Sequence, residues 1–274
     1  MKSIGFRHMI TVRNVVLSML LTGMQLSAMP ISLPAQSDTG INGPVLHVYG
    51  PGGPLPAMKE AAEAFQNTRH VRVIVTAGPT PKWLPDAKEN GDIIYSGSEE
   101  MMSDLQVALA GVLDPATIVP LYLREAAILV RPGNPSRIKG IEDLLSSGHH
   151  ILVVNGAGQK GLWEDIVGRD GRISSVARFR SNISMVASNS AEAKAAWQSN
   201  STLDAWLIWT IWQASNPSLA DEVPIDGTHQ IYRDCAVGIT VRGKQTPEAS
   251  EFVRFLESAE GQKIFIKWGW NARK

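Results

Sequence analysis

The loop at residues 50–54 is the first of several segments whose residue types suit the binding of a small anion. It reads Gly-Pro-Gly-Gly-Pro and places the backbone amides of Gly52 and Gly53 just ahead of a predicted helix. The first N–H groups of a helix have no partner inside the helix, and the helix dipole is positive at that end. The loop is therefore a candidate anion site; the alternative is that its glycines only form a turn.

Two further segments place hydroxyl and charged groups at corresponding positions, close behind predicted strands. In open α/β sheets, ligands bind where the chain leaves the carboxyl ends of the strands. Ser98 has a second interpretation as the N-cap of the helix that follows it. The residues that we predict near the ligand in these two segments are Thr80, Lys82, Ser96, Ser98 and Glu99.

The segment at 155–161, Asn-Gly-Ala-Gly-Gln-Lys-Gly, matches the G-x-G-x-x-G pattern of dinucleotide-binding enzymes. Such enzymes need an acidic residue about 20 positions further on, at the end of the next strand. Ala187 and Ser188 occupy that place here. The match therefore favours a site in which backbone amides hold any small anion, with a dehydrogenase as the weaker alternative.

Arg124 lies in a long apolar stretch, residues 121–135. Because burying an unpaired charge is very unfavourable, a buried arginine must be paired or must face a ligand. Its planar group of donors suits a carboxylate or an oxyanion. Glu125 is the alternative partner, but adjacent residues of a strand point to opposite faces. Arg131, beside a Pro-Gly turn, is expected in solvent.

Trp209 and Thr210 lie at the end of another predicted strand. They are expected to face the same candidate ligand site as the loops above. Trp206, Trp209 and Trp212 recur at every third position, and the alternative for this cluster is packing between a helix and the sheet.

Short apolar runs alternate with helical patterns along the chain, which predicts parallel βαβ units with right-handed crossovers. The predicted strands are 46–50, 71–78, 92–97, 121–135, 150–156, 179–188, 205–209 and 232–241. The predicted helices are one with Met58, Ala61, Ala62 and Phe65 on one face, and those at 99–110, 140–147, 161–169, 190–198 and 247–267. The pattern indicates an α/β fold of two lobes, with a cleft between them and two chain crossings.

Composition excludes several classes of function. The 26 basic and 26 acidic residues cancel, so no global positive field favours nucleic acid. The 44% apolar and 19% charged residues indicate a folded chain. Cys235 is the single cysteine, and the sequence has neither a G-x-S-x-G nor an H-E-x-x-H motif. We therefore expect no metal, no cofactor and no enzymatic activity.

The N-terminus reads as a secretory signal peptide over residues 1–28. Three basic residues precede an apolar run at 15–26, and small residues follow at Ser27 and Ala28. Cleavage is placed after Ala28 or as late as Ala35. A permanent membrane anchor is the alternative, disfavoured by Pro30 and Pro34, and the absence of disulfides favours the bacterial periplasm.

Several separate runs resemble the type II periplasmic solute-binding proteins, in particular the accessory colonisation factor AcfC-type branch, related to molybdate- and sulfate-binding proteins. The runs are HVYGPGGP (47–54), AGPTPKW (77–83), DIIYSGSEEMM (92–102), LYLREAAILVRPGNP (121–135), NGAGQKGLWED (155–165) and AWLIWTIWQASNPSLAD (205–221). The resemblance implies a two-lobed fold of mostly parallel sheets. It also implies a receptor that captures a small anion (an oxyanion, an organic phosphate or a carboxylate) for an inner-membrane ABC permease. The alternative is an adhesin-type surface protein that binds little ligand.

By position, the resemblance implies a set of ligand contacts from both lobes. Where the molybdate-binding relatives have a tyrosine after the last strand of lobe two, this chain has Trp209 and Thr210. We expect lobe one at 44–122 plus 239–274, lobe two at 123–238, and hinge crossings near 122–130 and 230–238. The implied contacts are Gly52, Gly53, Thr80, Gly158, Gln159, Ser188, Asn189, Ser190, Trp209 and Thr210.

Overall fold

The computed structural model describes residues 43–156 and 158–272. The predicted signal peptide, with both of its candidate cleavage sites, lies outside the described residues. Among the helices of the described part, none has the length and apolar character that crossing a membrane requires.

The described residues form nine β-strands in one continuous order, β2-β1-β3-β9-β4-β7-β5-β6, with β8 paired to β4. The strands are β1 (Val45–Gly50), β2 (Arg72–Ala77), β3 (Ile93–Tyr95), β4 (Val119–Val130), β5 (Ile151–Val154), β6 (Ile183–Ala187), β7 (Ala205–Trp209), β8 (Asp221–Pro224) and β9 (Tyr232–Ile239).

Ten α-helices connect these strands within the described residues. They are α1 (Leu55–Arg69), α2 (Thr80–Asn90), α3 (Glu99–Ala108), α4 (Ile141–Leu144), α5 (Leu162–Val167), α6 (Ile173–Asn182), α7 (Ser190–Ser199), α8 (Thr210–Ser215), α9 (Pro247–Glu257) and α10 (Ala259–Lys267).

Two groups of parallel strands make up most of the sheet. In the first strand group β1 pairs in parallel with β2 and β3, and in the second β5 pairs in parallel with β6 and β7. The long strand β4 runs between the groups, pairing antiparallel with β9 over residues 119–125 and with β7 over residues 126–130. The apolar run that begins at residue 121 is thus a single strand shared by both halves of the sheet.

Apolar faces of the helices build the core as their spacing predicts. In α1, the face carrying Met58, Ala61 and Phe65 is buried. The ring of Phe65 meets that of Phe252 on α9 at 5.2 Å between centroids. Cys235 is fully buried in β9, as expected for a small apolar side chain.

The predicted strand at 179–188 is wrong over its first four residues. Residues up to Asn182 belong to α6, and the strand begins at Ile183. Ser175, Phe179 and Asn182 are buried at helical spacing, and Phe179 stacks on Trp163 at 5.6 Å. The apolar residues of this short helix are few, so the sequence pattern there is weak.

Three other expectations need correction. The segment that begins at Thr80 is the first turn of α2 rather than a loop. The predicted single helix at 247–267 is two helices, because Ser258 adopts an extended conformation and its hydroxyl caps α10 through the amide of Gly261. Arg131 is half-buried, because its guanidinium lies 3.7 Å from the Trp197 ring and donates to three backbone carbonyls.

Candidate functional site

A cavity of about 80 Å³ lies where the loops of both strand groups meet. One water molecule needs roughly 10–15 Å³ of such a cavity, so the space suits a ligand of a few heavy atoms. Its walls come from the segments that follow β1, β2, β3, β5, β6 and β7, with one side chain from β4. The lining residues are Pro51, Gly52, Gly53, Pro54, Gly78, Pro79, Thr80, Gly97, Met101, Arg124, Gln159, Asn189, Ser190, Ala191 and Trp212.

Three helices direct their N-termini at this cavity: α1, α2 and α7. The backbone amides of Gly53, Thr80 and Ser190 make no hydrogen bond to any described residue. The first-turn amides of α7 beyond Ser190 are satisfied locally, because the Asn189 side chain accepts from Ala191 and from Glu192 at 3.0 Å each. Unpaired N–H groups at the positive ends of helices attract anions. Here both strand groups contribute such N–H groups to the cavity.

Arg124 supplies a positive charge beside these amides. It is only 3% exposed, and its guanidinium lies 4.4 Å from the Trp209 ring centroid and 5.7 Å from that of Trp270. One nitrogen, Nη2, donates to the carbonyl of Gly97, while Nε is buried and has no partner among the residues that the structure describes. No ion pair to Arg124 is found in the described part of the chain.

Burial lowers the pKa of Arg124 to about 9, although the nearby Cys235 and Asp234 act in the opposite direction. The guanidinium is still protonated at neutral pH. A buried cation without a counter-ion is costly, and a bound anion would remove most of that cost.

Two glycines allow the backbone to approach this guanidinium closely. A Cβ atom added at Gly53 would lie 3.1 Å from Arg124 Nη1, and one added at Gly97 would lie 3.1 Å from Nη2. Such contacts are tighter than a side chain normally tolerates. The loops after β1 and β3 therefore enclose the guanidinium in a way that larger residues would disturb.

Gln159 lies on the opposite wall, in the loop after β5, and is 3% exposed. Its Nε2 donates to the hydroxyl of Ser190 at 2.8 Å, and its Oε1 is buried without a hydrogen-bond partner among the described residues. The cavity therefore offers one strong acceptor among its several donors.

Contacts between the loop after β5 and helix α3 close one side of the cavity. Lys160 pairs with Glu100 at 3.0 Å and with Asp104 at 2.9 Å. A Cβ added at Gly158 would lie 3.0 Å from the hydroxyl of Ser98, so the two strand groups are in direct contact here.

The structure brings about half of the predicted site residues to the cavity wall. They come from four segments that follow strands and from strand β4, and no one stretch of sequence contains them. The predicted residues that line the cavity are Gly52, Gly53, Thr80, Arg124, Gln159, Asn189 and Ser190.

The other predicted residues lie outside the cavity lining, and most of them are committed to local contacts. The Ser96 hydroxyl accepts from the amide of Ala236 at 3.3 Å, and that of Ser98 caps α3 by accepting from Met101 at 3.1 Å. Lys82 is exposed on α2. The remaining residues in this set are Glu99, Gly158, Ser188, Trp209 and Thr210.

Four of those five residues have identifiable contacts or electrostatic neighbours of their own. Trp209 forms the platform under Arg124, and the Thr210 hydroxyl donates towards the carbonyl of Gly269 at 3.3 Å. The Ser188 hydroxyl bonds to Glu192 at 2.5 Å. Partial burial raises the pKa of Glu99, and the neighbouring charge of Asp234 raises it further.

Sequence reasoning missed Met101 and Trp212 as wall residues. The helical spacing and apolar character of these two residues indicate packing in the core. The only signal for the site is that each lies a few residues after the end of a strand, β3 for Met101 and β7 for Trp212. Trp212 is partly exposed to the cavity, whereas Trp206 and Trp209 are fully buried.

Comparison with known proteins shows what this chain is similar to. Residues 46–271 match the family described as bacterial extracellular solute-binding protein. No match was found among curated protein sequences.

Solved structures give the same result. Peb3 from Campylobacter jejuni is 34% identical, with a TM-score of 0.77 over 83% of this chain and 100% of that one. A structure of PEB3 bound to L-phospholactate is 33% identical, with a TM-score of 0.79 over the same shares. The molybdate-binding protein of Azotobacter vinelandii has a TM-score of 0.65 at 14% identity, covering 84% of this chain and 100% of that one. The fold is that of the two-lobed periplasmic binding proteins.

Proposed function

We propose, on the premise that this chain belongs to the family of bacterial extracellular solute-binding proteins, that it captures a small anion in the cavity around Arg124. The ligand class is an oxyanion, an organic phosphate or a carboxylate. A relative that is 33% identical has been crystallised with L-phospholactate, which carries anionic groups, and this supports the proposal.

The observation that carries the proposal is the buried charge of Arg124, which has no ion-pair partner among the described residues. Folding a lone guanidinium into an apolar site is unfavourable unless a counter-ion is supplied. No carboxylate of the described residues pairs with Arg124, which lines the cavity together with three residues whose backbone amides are unpaired, Gly53, Thr80 and Ser190. A bound anion would satisfy all of these groups together.

The mechanism that we propose is binding without chemical turnover. The expected lobes, 44–122 plus 239–274 and 123–238, would move about the crossings in β4 and β9. An anion favours the closed arrangement only to the extent that it binds that arrangement more tightly than the open one. Arg124 sits in β4 at the crossing itself, so contact with the ligand and closure would be coupled.

The proposed physiological role is delivery of the anion to an inner-membrane ABC permease from the periplasm, after cleavage of the signal peptide. The second candidate is an adhesin-type protein with the same fold and little ligand binding. The open amides and the orphaned acceptor in the cavity favour the receptor, because an unused cleft has no need of them.

Calorimetric titration of protein refolded to remove any retained ligand tests the proposal. We expect at least one of sulfate, molybdate, phosphoglycerate and citrate to bind, and to raise the melting temperature through ligand linkage. Lack of binding across this panel would favour the adhesin. Conversion of any of these compounds would show that the protein is an enzyme.

A further inference from the structure

The side-chain amide of Gln159, on the cavity wall, has an acceptor oxygen that no described residue satisfies. We propose that Gln159 selects ligands that carry a hydrogen-bond donor beside their anionic group, and thereby rejects fully deprotonated tetrahedral anions such as sulfate. The inference rests on the proposed function, since it concerns what the same cavity binds.

The other polar groups of the cavity are mainly donors. Arg124 and the amides of Gly53, Thr80 and Ser190 all present N–H groups to a ligand. Oxygen atoms of an anion satisfy these donors. At Gln159 Oε1, however, an oxygen without a hydrogen would bring two sets of lone pairs together, and the buried acceptor would stay unsatisfied.

The orientation of the Gln159 amide follows from its contact with Ser190. Nε2 donates to the Ser190 hydroxyl at 2.8 Å, which directs Oε1 away from that residue. The neighbouring Asn189 directs its Nδ2 to the hydroxyl of Ser188 at 3.1 Å, and no hydrogen bond from it to Oε1 is found among the described residues. An inverted amide, with Ser190 donating to Oε1, would present Nε2 to the ligand and would favour sulfate.

Two kinds of ligand supply the required donor. A phosphate monoester has a second pKa of about 6, so near that pH half of its molecules carry a P–O–H group. A 2-hydroxy acid carries an alcohol O–H next to its carboxylate. Sulfate and simple carboxylates have no hydrogen-bond donor at neutral pH. Sulfate is similar in size to a small phosphate monoester, and a simple carboxylate is similar in size to a 2-hydroxy acid.

The experiment compares methyl phosphate with sulfate, and lactate with propionate, by calorimetric titration at pH 6 and pH 8. In the wild-type protein the donor-bearing member of at least one pair should bind about tenfold more tightly, as expected for one buried acceptor. If the donor is P–O–H, the preference for methyl phosphate weakens at pH 8. If it is an alcohol, the lactate preference is the same at both pH values.

The variant Gln159→Met keeps the length of the side chain and removes the acceptor. It should reduce the preference to within about twofold, mainly by allowing sulfate or propionate to bind. Gln230→Met is the matched control. Gln230 also has a buried Oε1 without a partner, but it lies outside this cavity, so the control should keep the wild-type preference.

Equal binding within both pairs, tighter binding of sulfate, or an unchanged preference in Gln159→Met would overturn the inference while leaving an anion receptor intact. If none of the four compounds binds the wild type and the wider panel also fails, the proposed function itself is wrong.

Discussion

Arg124 shows how one residue can link the fold to its ligand. Its charge stands on the central strand β4, with Trp209 as an aromatic platform and two glycines allowing close approach. Cation–π contacts recover part of the desolvation cost, but they do not provide an opposite charge. An anion bound at this site, as we propose, would provide that charge.

The variant Arg124→Met separates binding from stability. Removing the guanidinium should weaken ligand binding by about 30-fold or more, since losing one member of a buried charge pair typically costs about 2–5 kcal/mol. The melting temperature of the ligand-free protein should stay the same or rise, because an uncompensated buried charge disappears. Calorimetry and thermal unfolding measure the two effects. Unchanged affinity would show that Arg124 does not contact the ligand.

Glu99 should make the stability of the folded protein depend on pH. Partial burial and the charge of Asp234 raise the pKa of Glu99 above its ordinary value of 4.5. A carboxyl whose pKa is raised by folding favours the folded state when protonated. Stability from this group is therefore present below pH 4.5 and is lost as the pH rises through the raised pKa.

Glu99→Gln should accordingly be more stable than the wild type at pH 7 and equal to it near pH 4. Melting temperatures measured across that range give the difference directly. Glu100→Gln is the control, because Glu100 pairs with Lys160 and its loss should bring no gain at pH 7. A constant difference between Glu99→Gln and wild type at all pH values would contradict the assignment.

At the residue level, the sequence pointed to part of the site for sound physical reasons. An arginine among apolar residues predicts a buried charge in need of a partner, and Arg124 is one. Ser96 and Ser98 show the limit of this reasoning, because a hydroxyl after a strand serves a cap or a backbone amide as readily as a ligand. Which role it takes depends on side-chain direction, which spacing alone does not give.

The elements that carry the loops were more predictable than the loops themselves. Strands β1, β5 and β7 are short apolar runs, and the structure confirms them in the predicted places. Helix α6 was missed because its buried face holds only three residues, two of them polar. The break between α9 and α10 was missed because apolar spacing continues through it.

Ser258 is the N-cap of α10 and separates this helix from α9. Its hydroxyl accepts from the amide of Gly261 at 3.3 Å at the start of α10. Ser258→Ala should lower the free energy of unfolding by about 1 kcal/mol, the usual value of an N-cap. Denaturant unfolding measures this change.

Ser199→Ala is the matched control, since the Ser199 hydroxyl bonds only to carbonyls of its own helix. It should change stability by less than about 0.5 kcal/mol, as most surface substitutions do. Equal effects of the two variants would mean that Ser258 is not a functional cap.

At the scale of the whole molecule, we expect the proposed binding and closure to depend on contacts between the two strand groups. Lys160 reaches from the loop after β5 to Glu100 and Asp104 on α3. Exposed ion pairs contribute little to folding, about 0–1 kcal/mol each. These pairs nevertheless form between the parts that we propose to move, so their effect should appear in binding.

Lys160→Ala should therefore weaken ligand affinity by about two- to fivefold, which corresponds to less than about 1 kcal/mol. Lys244→Ala is the control: its ion pair with Asp114 has a similarly exposed lysine, and both of its residues lie in expected lobe one. Calorimetry should show a weaker affinity only for Lys160→Ala, with more open particles in small-angle scattering. Equal affinities in both variants would argue against closure at α3.

The most direct measurement is a crystal structure of this protein with the tightest anion found by titration. The account predicts electron density for the anion between the two strand groups, with its oxygens bonded to Arg124 and to the amides of Gly53, Thr80 and Ser190. An anion bound elsewhere, with only water beside Arg124 at saturating concentration, would contradict it.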